Sequence, residues 1–165
     1  HSITKILFIC HGNICRSPMA EFVLKDLVRR EGREAEFQIA SAATTTDDIF
    51  AGIGSLVYPP VRDLLVRHGM NPAGKRARLL KKRDYAAYDF LVGMDEENRA
   101  DIRRICGGDP DHKISLLLDF TDHPREVVDP WYTRDFERTY RDILEGCTAL
   151  LSHLQSTQGQ GEGEP

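Results

Sequence analysis

The sequence predicts an α/β fold: a single-domain, three-layer sandwich built on a four-stranded parallel sheet with helices on both faces. Three observations predict it. Short apolar runs alternate with helix-length amphipathic stretches, the pattern of β-α-β units rather than of hairpins. The first run, Ile3 to Ile9, is nearly continuous in apolar residues, as strands covered on both faces are. The 165 residues also show no internal repeat and no linker long enough to divide them, so one core is expected.

The elements follow in order. Ile3 to Ile9 reads as the first strand. Ser17-Pro18 opens a helix, since Ser suits an N-cap and Pro the first helical position. Its apolar stripe is Met19, Phe22, Val23, Leu27 and Val28, with Gly32 as a stop. Phe37 to Ala42 is the second strand, and Thr44 to Tyr58 a polar, irregular loop. Pro59-Pro60 starts a second helix that carries Val61, Leu64, Leu65 and His68 and ends at Gly69. Asp84 to Tyr88 reads as a short helix or turn, Phe90-Leu91-Val92 as the third strand and Glu96 to Ile105 as the third helix. After the break at Gly107 to Pro110, Ile114 to Leu118 is the fourth strand. A loop leads to Asp129-Pro130-Trp131-Tyr132, and Phe136 to His153 forms a final helix with Ile143, Cys147, Leu150 and Leu151 on its apolar face. Residues 1–154 are expected to form the domain. Residues 155–165, rich in Gly, Gln and Glu, are expected to be disordered.

Composition excludes several classes. A net charge of -4 argues against nucleic acid as partner, and the basic clusters read as solvated faces. No apolar run reaches the roughly 18 residues of a membrane span. The four cysteines (Cys10, Cys15, Cys106 and Cys147) show no zinc-type spacing, and a chain of this size needs no disulfide staples. The expectation is a cytoplasmic protein with no metal and no cofactor.

The segment Cys10-His11-Gly12-Asn13-Ile14-Cys15-Arg16-Ser17-Pro18 lies between the first strand and a helix. In doubly wound folds ligands bind beyond the carboxyl ends of the strands, which places Cys10 at the mouth of the site. A cysteine, five residues and an arginine wrapped this way form a phosphate-binding loop. Backbone N–H groups make an anion nest, the helix start adds its positive end, and Arg16 matches two phosphate oxygens. Gly12 is expected to supply an unusual backbone angle. The field that holds a dianion also favours the thiolate of Cys10, making it a nucleophile, with the Ser17 hydroxyl a candidate donor to its sulfur.

The run Ile6 to Glu21, ILFICHGNICRSPMAE, resembles the N-terminal signature of the low-molecular-weight phosphotyrosine phosphatases. The resemblance extends to about Leu154 through Ser41-Ala42-Ala43, Arg67-His68-Gly69, Gly93 to Asn98 and Asp129 to Tyr132. It implies hydrolysis of phosphotyrosine, in proteins or small aryl phosphates, through a cysteinyl-phosphate by a monomer or weak dimer. Cys10 is then the nucleophile, Arg16 the phosphate clamp and Asp129 the general acid and later base. His11, Gly12, Asn13, Ile14, Cys15 and Ser17 would surround the phosphate, with Trp131 and Tyr132 against an aryl group.

The resemblance implies that Asn13, Ser17, Ser41 and His68 hold the loop, although His68 reads equally as a core histidine. Cys15 is implied to be a possible redox partner of Cys10, and Tyr132 a residue modified in some relatives. Related phosphoarginine phosphatases usually carry Thr where this chain has Ile14, which points to the phosphotyrosine branch. The loop Thr44 to Asp48 departs from the family. Arsenate reduction on the same fold is the rival reading, and it would need two further cysteines within bonding distance.

Overall fold

The computed structural model describes residues 2–162, with side chains to residue 155. The chain runs β1 (Thr4–Cys10), α1 (Arg16–Arg30), β2 (Phe37–Ala43), β3 (Ile49–Phe50), β4 (Ile53–Gly54), α2 (Pro59–Arg67), α3 (Asp84–Ala87), β5 (Phe90–Gly93), α4 (Glu96–Cys106), β6 (Ile114–Leu116), α5 (Pro130–Thr133) and α6 (Phe136–Glu162). The main sheet has the order β2-β1-β5-β6, all parallel. Helices cover both faces, so the predicted three-layer architecture is the one found.

The side-chain period of two in β1 explains the layers. Ile6, Phe8 and Cys10 join one buried cluster with residues of α1, α2 and α6, while Leu7 and Ile9 join a second with Tyr85, Ile102 and Cys106 of the α3–α4 side. All four side chains from Ile6 to Ile9 are fully buried, as expected for a strand covered on both faces. The chain leaves β1 toward β2 on one side and returns to β5 on the other. The carboxyl end of β1 is therefore the topological switch point, where a crevice opens.

Three details differ from the expectations. Helix α1 begins at Arg16 with Cys15 as its N-cap and no side-chain cap. Ser17 does not cap it, because its hydroxyl is engaged with Cys10. The loop after β2 contains the β3–β4 hairpin, whose turn residues Ala51 and Gly52 both have positive φ. The segment expected to be disordered continues α6 to Glu162. Extending an existing helix costs far less than nucleating one, even across Gly159 and Gly161. Residues 163–165 lie outside the described residues. Among the described residues no helix is long and apolar enough to cross a membrane.

Candidate active site

The loop between β1 and α1 wraps around the carboxyl end of β1. Its one left-handed residue is Asn13 (φ 60), a residue type that tolerates this angle. Gly12 lacks the unusual backbone angle expected of it; a Cβ there would press on the Asp48 carboxylate, a side-chain end that can move aside. The helix start has no capping side chain, so its open N–H groups remain available to an anion.

Cys10 Sγ lies 3.0 Å from Ser17 Oγ and receives the Ser17 N–H at 3.4 Å. Proton positions follow from the partners. Asn13 Nδ2 donates to Ser17 Oγ at 2.8 Å and to Ser41 Oγ at 2.9 Å. Both hydroxyls accept from the amide, so their own protons point onward: Ser17 toward Cys10 Sγ, and Ser41 toward Glu21 Oε1 at 2.6 Å. A hydroxyl donating to sulfur stabilises a thiolate. Asn13 Oδ1 accepts the Arg78 N–H at 3.1 Å, which ties the loop to the segment before α3.

The far end of this chain corrects one expectation. His68 is the C-cap of α2, exposed, and stacked on Tyr140 at 4.1 Å, so it has no place in the loop support. Lys75 occupies that role. Its Nζ donates to the Ser41 carbonyl at 3.0 Å and lies 3.5 Å from Glu21 Oε1. Burial lowers the pKa of Lys75 from its usual value, and Glu21 opposes that shift. Glu21 is 4% exposed and also takes Lys25 Nζ at 2.6 Å. Replacing Glu21 by Gln leaves Lys75 without its counter-charge. Unfolding free energy is expected to fall by about 3 kcal/mol, read as a drop of roughly 6–12 °C in the thermal midpoint.

Arg16 is 3% exposed. Nη1 is fully committed, to Asp95 Oδ2 at 2.8 Å and the Val127 carbonyl at 2.7 Å. Nη2 lies 3.7 Å from Asp129 Oδ2, so one edge of the fork is anchored and the other faces the cleft. Burial works to discharge the guanidinium, but Cys10, Asp95 and Asp129 outweigh it and hold its pKa above the usual value. Asp95 serves twice, since its Oδ1 also caps α4 by accepting the Asn98 N–H at 2.8 Å. Asp129 caps α5 through the Trp131 N–H at 2.9 Å. That bond takes Oδ1, so Oδ2 is the oxygen turned toward Arg16.

These groups line a cleft of about 620 Å³ together with Gly12, Ile14, Leu56, Tyr58, Trp131 and Tyr132. His11 stands at the rim and is bonded to Asp47 at 2.6 Å. Asn13 and Ser17 stand behind the loop and support it rather than lining the cleft. Sequence reasoning missed Asp95, Glu21, Lys75, Leu56 and Tyr58. Asp95 and Glu21 carried a signal, since both lie in segments that resemble the family, Gly93 to Asn98 and Ile6 to Glu21.

The remaining cysteines are thiols. Burial first, then the charges of Cys10 and Asp129, push Cys15 up to about 12, and burial raises Cys106 and Cys147 as well. Cys106 and Cys147 belong to the clusters on opposite faces of the sheet, so no disulfide relay links them. A second cleft of about 600 Å³, lined by Phe22, Lys25, Asp26, Phe37, Ile39 and Met70, holds no cysteine.

The comparisons agree with this geometry. Residues 5–160 match the family profile described as low molecular weight phosphotyrosine protein phosphatase. The low molecular weight protein-tyrosine-phosphatase YfkJ of Bacillus subtilis (strain 168) is 34% identical over 154 residues, covering 91% of this chain and 95% of its own. The YfkJ crystal structure matches with a TM-score of 0.89 at 33% identity, covering 95% of this chain and 98% of that one. The Gallus gallus low molecular weight phosphotyrosine protein phosphatase is 34% identical over 154 residues, 90% of this chain and 94% of its own. The structure of the Drosophila arginine phosphatase DARP matches at a TM-score of 0.81 and 27% identity, covering 92% of this chain and 98% of that one. With residues 5–160 matching that profile and relatives 34% identical over nine-tenths of its length, the chain belongs to the low molecular weight phosphotyrosine protein phosphatase family.

Proposed function

We propose that this chain hydrolyses phosphotyrosine and other aryl phosphates, with Cys10 as nucleophile, Arg16 as transition-state clamp and Asp129 as acid and then base. The observation that carries the reading is that one buried guanidinium joins the two reacting groups. Arg16 follows Cys10 on the same loop, and its Nη2 lies 3.7 Å from Asp129 Oδ2.

In the first step the Cys10 thiolate attacks phosphorus, the bond to the aryl oxygen breaks, and Asp129 gives that oxygen its proton. Arg16 and the loop N–H groups hold the three equatorial oxygens as charge spreads over them. In the second step water attacks the cysteinyl-phosphate, the Asp129 carboxylate takes a proton from the water, and the S–P bond breaks. Phosphate leaves and the thiolate is restored, again facing the Ser17 hydroxyl. The aliphatic Ile14 offers a guanidine no polar partner, while the rings of Tyr58, Trp131 and Tyr132 offer an aryl group faces to stack on.

The test is turnover of 4-nitrophenyl phosphate, a phosphotyrosine peptide and a phosphoarginine peptide, all in EDTA. The expected result is hydrolysis of the first two, with phosphoarginine slower. Vanadate binding without hydrolysis of any substrate overturns the reading in favour of a binding module. Faster phosphoarginine cleavage overturns the substrate assignment, and thioredoxin-linked arsenate reduction overturns the reaction class.

A further inference from the structure

The turn that carries Asp129 ends on a strained residue. Arg134 closes α5 from left-handed backbone (φ 59, ψ 13) and donates its N–H to the Pro130 carbonyl at 2.8 Å. Glycine is the residue that ends helices this way without strain. A strained non-glycine residue beside a reactive group persists where its side chain has work that glycine lacks.

The side chain shows what that work is. The Arg134 guanidinium carbon lies 5.6 Å from the Tyr58 ring centre, 5.7 Å from Trp131 and 5.2 Å from Phe136. Its Nη2 donates to the Tyr58 hydroxyl at 3.1 Å. Tyr58 and Trp131 are in contact at 5.4 Å, and both line the cleft. Tyr58 in turn donates its backbone N–H to the Ile14 carbonyl at 3.0 Å, within the nucleophile loop. One guanidinium thus connects the acid-bearing turn, through its own backbone, to the nucleophile loop, through Tyr58. Cation–ring attraction holds the three rings around it, and an arginine stays charged at every working pH, so the tie does not loosen by titration.

We propose that Arg134 is a positioning residue that clamps the Asp129 turn and the aromatic wall of the cleft to the nucleophile loop. The proposal rests on the phosphatase reading above. The clamp holds Asp129 Oδ2 over the leaving oxygen, and it holds Trp131 and Tyr58 at the separation an aryl ring needs.

The experiment compares Arg134→Gly, Arg134→Met and Arg134→Lys with wild type on phenyl phosphate and 2,4-dinitrophenyl phosphate. Phenolate is a poor leaving group and needs the acid; dinitrophenolate does not. In Arg134→Gly, kcat/KM is expected to fall about tenfold or more on phenyl phosphate, the scale on which small misplacements act, and to change little on the dinitrophenyl ester. Glycine relieves the backbone strain, so the thermal midpoint should hold or rise. Trp131 is the one tryptophan in the sequence, and its emission should become more open to acrylamide quenching in the Gly and Met variants. Arg134→Lys should recover part of both properties.

Equal losses on the two esters together with a lower midpoint would overturn the clamp in favour of a plain structural role. Wild-type quenching with wild-type kcat/KM on phenyl phosphate would also overturn it. If wild type hydrolyses neither ester, the phosphatase reading fails. If wild type turns over both and Arg134→Gly shows no leaving-group dependence, only the clamp fails.

Discussion

Replacing Cys10 by serine is expected to lower kcat by about 10⁴-fold or more, the scale on which loss of a nucleophile acts, while phosphotyrosine stays bound. A serine hydroxyl at that position has no base to activate it. Its neighbour Ser17 has its proton directed at the sulfur because Asn13 occupies its acceptor side. The binding parts are untouched, since Arg16 holds its place through Asp95 and Val127. Serine is smaller than cysteine, so this site, 3% exposed, accepts it without overpacking. Steady-state assay in EDTA and calorimetric titration with a phosphotyrosine peptide check both halves. Residual turnover within a hundredfold of wild type would sink the assignment. Iodoacetamide adds an independent reading. Cys15 is held up to about 12, by burial first, so it remains a thiol at neutral pH. A single label should appear, on Cys10, and added phosphate should protect against it.

The second large effect is expected at Asp129. Asparagine keeps the cap, because its carbonyl oxygen can still accept the Trp131 N–H that Asp129 Oδ1 accepts at 2.9 Å. What is lost is the proton. On phenyl phosphate kcat/KM should fall by about 10²–10³-fold, within the range general acids contribute. On 2,4-dinitrophenyl phosphate, which leaves unassisted, the loss should be far smaller. Asp48 is the control, being another carboxyl in the cleft. Burial, and then the charge of Asp47, raise the pKa of Asp48 from its usual value, while His11 pulls it back. That shift alone would make it a candidate acid. Its oxygen, however, lies against Gly12, whereas Asp129 Oδ2 faces the open edge of Arg16. A larger loss in Asp48→Asn than in Asp129→Asn would reverse the two roles.

The parts of the site legible in the sequence were those written contiguously. Cys10 to Pro18 carries nucleophile, nest and clamp in nine residues, and its place between a strand and a helix follows from periodicity alone. Asp129 was legible only through the resemblance of its Asp-Pro turn to the family segment, read beside the Cys10 loop; the residue types alone describe an ordinary turn. The groups that anchor Arg16 were not, because the contacts bridge long separations: Arg16 to Asp95 spans 79 positions and Arg16 to Val127 spans 111.

His68 was misplaced for a related reason. A histidine before glycine at a helix end looks like a support residue, but the chain turns there, and it is Lys75, seven positions on, that reaches Ser41 and Glu21. The β3–β4 hairpin was invisible because its strands are two residues each, too short for alternation to register. The fold was easier to read, since parallel strands buried on both faces announce themselves as apolar runs.

The anchoring of Arg16 sets the order in which the protein becomes an enzyme during synthesis. The nucleophile loop is made more than a hundred residues before Val127, yet its guanidinium has no complete set of acceptors until Val127 has been made and folded back. Until then the loop is a reactive segment without its clamp or its acid, and no N-terminal fragment ending before that point contains the whole site. Catalytic competence therefore waits on the segment that carries Val127 and Asp129, and unravelling of that segment would remove it.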